Sequence, residues 1–109
     1  MSRISTHVLD AVLGKPAEGV PVLLERREST QWIAVASSAT DVDGRCSDLI
    51  SNAPAGVYRL TFETGAYLER NGRKSIYPEI YILFNCSGES SYHLPLLLSD
   101  NSYTTYRGS

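Results

Sequence analysis

The sequence predicts an all-β protein, a two-sheet sandwich with one short helix. Apolar and polar residues mostly alternate in short runs, the period of strands with one buried face. The runs break at "LGKPAEG", "RREST", "TDVDG", "SNAPAG" and "NCSGES", each with turn chemistry. Seven short strands sharing one core suit two packed sheets. In order, the alternation places strands near Ile4 to Val12, Val20 to Arg26, Trp32 to Ser38, Tyr58 to Glu63, Ile80 to Phe84, Ser91 to Leu98 and Ser102 to Arg107. The helix falls at Ala66 to Asn71 within "TGAYLERNG", where "TG" precedes helix formers and "NG" ends them.

Length and composition set limits. With 109 residues, 42% hydrophobic and 20% charged, the chain reads as one globular domain spanning 1–109. A net charge of −2, with the basic residues scattered, gives no footprint for nucleic acid. The start "MSRISTHV" has no apolar stretch fit for a signal peptide, and "LPLLL" is too short to span a bilayer. The expectation is a soluble cytoplasmic protein without a membrane partner. Cys46 and Cys86, lacking a secretory context, are expected to be free thiols.

The strand period also says where unusual residues point. In "SYHLPLLLS", Tyr92, Leu94, Leu96 and Leu98 share the better core face, leaving His93, Pro95, Leu97 and Ser99 on the other. That second face is too apolar for open water and too polar for a sandwich interior, so it is expected to meet another subunit. In "STHVLDAVL", Ile4, Thr6, Val8, Asp10 and Val12 oppose Ser5, His7, Leu9, Ala11 and Leu13, which sets His7 beside Leu9 on a similar face. In the last strand Thr104 and Tyr106 oppose Thr105 and Arg107. Gly108 is then expected to free the backbone, so that Ser109 need not follow the pleat.

Each of these residues also has an ordinary reading. A lone histidine on a strand is commonly a satisfied or exposed residue, since imidazole tolerates both settings. Arg45, after the "DG" of "TDVDGR", would ordinarily be a solvated charge. Arg107 and Ser109 would ordinarily be a polar tail. Asp41, Asp43 and Asp48 resemble part of a calcium loop but lack its full ligand spacing and terminal Glu. No Cys/His cluster, phosphate loop or nucleophile elbow is present, so no metal and no cofactor is expected.

Taken together, "STHVLDAVLGKPAEGVPVLLE", "TDVDGR", "YPEIYILF", "YHLPLLLS" and the ending "YTTYRGS" closely resemble the 5-hydroxyisourate hydrolases, the enzymatic branch of the transthyretin-like family. The most specific element is the terminal "YRGS", which the hormone-carrying branch does not keep. Carried over residue by residue, the family's site falls on His7, Arg45, His93, Tyr106, Arg107, Gly108 and Ser109. Asp100 departs from the pattern, since members often have proline after "LLLS".

The resemblance implies a transthyretin-like β-sandwich that pairs into dimers and then a homotetramer, with sites at the dimer–dimer interface. It implies opening of the six-membered ring of 5-hydroxyisourate by water, giving 2-oxo-4-hydroxy-4-carboxy-5-ureidoimidazoline in urate degradation. In this reading His7 and His93 form an acid/base pair, with the choice of base left open. Arg45 holds a carbonyl or imide edge, and Ser109 helps position the water. Tyr106 binds or stacks on the ring, Arg107 holds the tail or stabilises charge, and Gly108 completes the tail. Two other classes stay open: a non-catalytic small-ligand carrier of the same fold, and a structural interaction domain.

Overall fold

The alternation is carried out, among the described residues, by nine strands and one helix in a computed structural model that describes residues 1–109 apart from the side chain of Asp48. Asp48, one of the three aspartates considered above for a cation, thus lies outside the described residues. The elements are β1 (Ser2–Asp10), β2 (Lys15–Pro16), β3 (Pro21–Glu28), β4 (Gln31–Ala39), β5 (Arg45–Ala53), β6 (Gly56–Phe62), α1 (Thr64–Arg70), β7 (Ile80–Cys86), β8 (Tyr92–Leu98) and β9 (Tyr103–Thr105). One sheet runs β2-β1-β8-β9, with β5 also paired to β1, and the other runs β4-β3-β6-β7. The two-sheet sandwich with one short helix is therefore the fold.

The inward faces follow the two-residue period. Ile4 and Val8 of β1 and Leu94, Leu96 and Leu98 of β8 pack in one core with Val22 and Leu24 of β3, Tyr58, Leu60 and Phe62 of β6, and Ile80 and Ile82 of β7. Each such aliphatic or aromatic side chain contributes about 1.5–3 kcal/mol by leaving water. Cys46 and Cys86 are free, buried thiols in this core. The helix starts two residues earlier than expected and ends at a left-handed Gly72 (φ 68°), where the Arg73 N–H reaches back to the Leu68 carbonyl at 2.9 Å.

Two elements escape the sequence reading. β2 is only two residues long, too short for any period to show. β5 lies where no strand was expected, because its pairing with β1 shifts register twice: Thr6 faces Cys46, Ile4 faces Ile50, and Ser2 faces Ala53. Such bulges break the alternation that would announce a strand. At the end of β1 the strand stops at Asp10 rather than running to Val12. There the Asp10 Oδ1 accepts the N–H groups of Val12 and Leu13, each at 3.1 Å, and turns the chain.

That aspartate is also the centre of a buried network. Its carboxylate accepts the Tyr67 hydroxyl of α1 at 2.8 Å and the Arg73 guanidinium at 2.5 and 3.2 Å, and Arg73 in turn donates to Asp100 at 2.6 Å. Burial alone would raise the Asp10 pKa, but Arg73, the Leu13 N–H and Tyr67 outweigh it and hold the carboxyl below its ordinary value. Burial, with the adjacent Asp10 carboxylate, pushes Tyr67 up to about 12. Asp100, the departure from the family pattern, thus anchors the loop that leads into β9.

Candidate active site

Parallel pairing of β1 with β8 sets Ser5 level with His93, His7 with Pro95 and Leu9 with Leu97, all on the face turned away from the core. On the other side of β1, Arg45 at the start of β5 stands opposite His7. Beyond β8, Gly108 bridges His93 in the register of β9, so Tyr106 stands level with Pro95. Two rows of residues therefore cross the sheet: Arg45, His7, Pro95 and Tyr106 in one, and Ser5, His93 and Gly108 in the other. A cleft of about 300 Å³ opens beside them, lined by Arg3, Ser5, Arg45, His93 and Ser109, with Ser47 and Ser91 at its walls.

Arg45 is held by its turn. The Asp41 Oδ1 accepts the N–H groups of Asp43 and Arg45, both at 2.9 Å, and the Asp41 N–H donates back to the Arg45 carbonyl at 3.0 Å. Gly44 sits at φ 77°, and a Cβ there would come within 2.3 Å of the Val8 carbonyl oxygen, so only glycine fits between this turn and β1. The Asp41 carboxylate thus accepts backbone N–H groups, and among the described residues no group of three or more His, Cys, Asp or Glu could hold a metal ion.

The two imidazoles are fixed by different nitrogens. His7 Nε2 lies 2.8 Å from the Asp43 carbonyl, an acceptor only, so Nε2 carries the proton and Nδ1 is the basic nitrogen of the neutral ring. His93 Nδ1 lies 2.8 Å from the Ser5 hydroxyl, which can donate or accept. Half-burial, then the nearby His7 and the Arg45 guanidinium, lower the His93 pKa below its ordinary value.

The last residues close the row. Gly108 stays in strand register rather than releasing the chain: its N–H donates to the His93 carbonyl at 2.7 Å. Its bare Cα is required by the neighbouring ring, since a Cβ would lie 2.8 Å from His93 Cδ2. The expectation that Gly108 frees the backbone is thus replaced by a close-packing role. Arg107 is not brought into the cleft. Its guanidinium stacks 4.3 Å over the Tyr92 ring and donates to the Ser91 carbonyl at 3.0 Å, tying the tail to the start of β8. Tyr106 is 52% exposed, and Ser109 lines the cleft.

The apolar face differs from expectation as well. Pro95 is buried within the single chain, its ring 3.4 Å from where a Gly108 Cβ would sit, and Leu9 and Leu97 are half-buried. Exposed apolar side chains near this sheet include Val12 and Leu13 after β1, and Tyr103 and Tyr106 at β9 and beyond. The sequence weighs Asp41 and Asp43 only as part of a cation loop, whereas they form the turn that holds Arg45 and meets His7, and no motif announces Ser5. Ser5 shares the face of His7 in the alternation, but its partnership with His93 depends on a parallel register, which no local pattern announces.

Comparison with known proteins gives the family of the chain. The HIUase/Transthyretin family model matches residues 4–108. The chain is 43% identical over 113 residues to 5-hydroxyisourate hydrolase of Mus musculus, covering 99% of this chain and 96% of that protein. Among solved structures it is similar to 5-hydroxyisourate hydrolase of Klebsiella pneumoniae, with a TM-score of 0.91, 43% identity and full coverage of both chains. It is also similar to transthyretin of Sparus aurata, with a TM-score of 0.93, 34% identity, and 97% of this chain and 96% of that one covered. The chain therefore belongs to the HIUase/Transthyretin family.

Proposed function

We infer that this chain hydrolyses 5-hydroxyisourate to 2-oxo-4-hydroxy-4-carboxy-5-ureidoimidazoline, by attack of water on the ring's cyclic amide. The observation that carries the reading is the convergence of His93, Arg45 and Ser109 on one cleft, with His7 opposite Arg45 on the neighbouring strand and outside the residues that line the cleft. Amide opening needs a nucleophilic water, positive donors for the oxygen that turns negative, and a proton for the departing nitrogen.

His93 is the base in this reading. Its lowered pKa keeps it neutral near pH 7, so it can take a proton from water as the oxygen attacks the carbonyl carbon. Arg45, a cation with a planar fork of donors, holds the oxygen that becomes negative. The carbon–nitrogen bond then breaks, and the imidazolium returns its proton to the leaving nitrogen. Ser109 positions the water. His7, paired with Arg45 across the strands, presents its Nδ1 as an acceptor for a ring N–H. Tyr106 covers the bound ring, and Arg107 and Gly108 hold the tail that carries Ser109.

We further propose a homotetramer with the sites at the interface between dimers. The support is the exposure of the apolar side chains Val12, Leu13, Tyr103 and Tyr106 on elements of the sheet that carries the site, since large exposed apolar side chains suit subunit contacts. A single species of monomer mass at micromolar concentration would overturn this.

Likeness to transthyretin, at a similar TM-score, keeps a carrier reading in view, because the fold alone does not separate the two. Following the decay of freshly made 5-hydroxyisourate does. A hydrolase speeds ring opening above the spontaneous rate in proportion to protein concentration, whereas a carrier leaves the rate unchanged or slows it.

A further inference from the structure

His93 meets the protein on three sides. Its Nδ1 lies 2.8 Å from the Ser5 hydroxyl, its Cδ2 edge packs against the Cα of Gly108, and its backbone is fixed by pairing with β1 and with the Gly108 N–H. With Nδ1 engaged, Nε2 is the nitrogen left for water or substrate. Ser5 is itself half-buried on a central strand, directly level with His93, so its side chain is held in place by the sheet rather than by a loop.

We propose that Ser5 is a positioning residue for His93, accepting the Nδ1–H so that the ring presents a basic Nε2 to the cleft. A base must carry its lone pair on the nitrogen facing the proton it removes, and a hydrogen bond to the other nitrogen selects that tautomer. When Nε2 gains a proton the ring has a donor on each nitrogen, and Ser5 still accepts from one of them, so no rearrangement accompanies the transfer. A carboxylate in this place would attract the proton charge and raise the pKa. A hydroxyl orients the ring without that effect. The charged and titratable groups around His93 are His7 from β1 and Arg45 from β5, with Arg3 of β1 lining the same cleft, while Arg107 is turned onto Tyr92.

The assignment of turnover to His93 rests on the function proposed above, but the tautomer does not, and the test separates them. Long-range proton–nitrogen NMR on the intact chain should show neutral His93 protonated at Nδ1. Ser5→Ala, which removes one oxygen, should shift His93 toward the Nε2–H form and lower kcat about 10- to 100-fold, with KM changed less than about threefold. Ser5→Thr, which restores a hydroxyl, should recover the Nδ1–H tautomer and most of kcat. A His93 tautomer unchanged in Ser5→Ala would overturn the proposal, as would turnover within about twofold of the intact chain. If the intact chain fails to accelerate ring opening, the functional reading falls while the NMR comparison still decides the role of Ser5.

Discussion

Gly108 and His93 are in direct contact: the Gly108 N–H donates to the His93 carbonyl at 2.7 Å, and a Cβ on residue 108 would lie 2.8 Å from the imidazole Cδ2. The glycine of the terminal "RGS" is thereby tied to the side chain proposed above as the base. Gly108→Ala must displace the ring, since its backbone bridge to β8 leaves the tail little room to yield. The expected result is a folded protein with turnover lowered about 10-fold or more, the scale on which misplaced acid/base groups fail. Rates with thermal melts on the same sample check it.

His93 predicts a pH dependence. Burial first, then His7 and Arg45, lower its pKa from about 6.5, so the native state binds fewer protons than the unfolded chain as pH falls below that value. Two consequences share this sign: stability contributed by neutral His93 declines as pH drops through the lowered pKa, and kcat/KM loses its base over the same range. The acid limb of kcat/KM should therefore have its midpoint below 6.5. Removing the neighbouring cation in Arg45→Gln should raise the His93 pKa, which an NMR titration measures directly.

The buried Asp10 gives a separate acid transition. Its carboxyl is held below its ordinary value of about 3.8, so the stability it contributes is present above that pH and is lost as pH falls through the lower folded value. Arg73→Met leaves the Asp10 charge buried without its cation and should cost about 3–5 kcal/mol by urea denaturation. Asp100→Ala, which removes a carboxylate that is itself 39% exposed, should cost under about 1 kcal/mol.

The histidines should behave as a unit. His7→Ala and His93→Ala are each expected to lower turnover by about 10²-fold or more, and the double variant should fall well short of the product of the two losses. Fully multiplicative losses would mean that they act independently.

Much of this was legible in the chain, and the reasons for the rest are physical. The core faces of β1 and β8 follow from plain alternation, because both strands run without a bulge against each other. β5 was hidden by its two register shifts, so Arg45 read as a solvated charge although it stands opposite His7. The partnership of Ser5 with His93 spans 88 positions and depends on parallel pairing. Pro95 was expected at a subunit contact but is buried inside the protomer, since the returning tail packs beside it. The residue types of the site could be read from their motifs, while the turn of Arg107 onto Tyr92 could not, because alternation gives a face and not a contact.

The central claim is that the last residues complete a hydrolytic site around His93 and Arg45. Its most direct test is the initial rate of 5-hydroxyisourate ring opening by the intact chain and by a chain lacking Arg107, Gly108 and Ser109, compared at equal concentration and equal assembly. Strong acceleration by the intact chain and a loss of about 10² or more on truncation are expected. Equal rates for the two, with the fold and assembly unchanged, would contradict it.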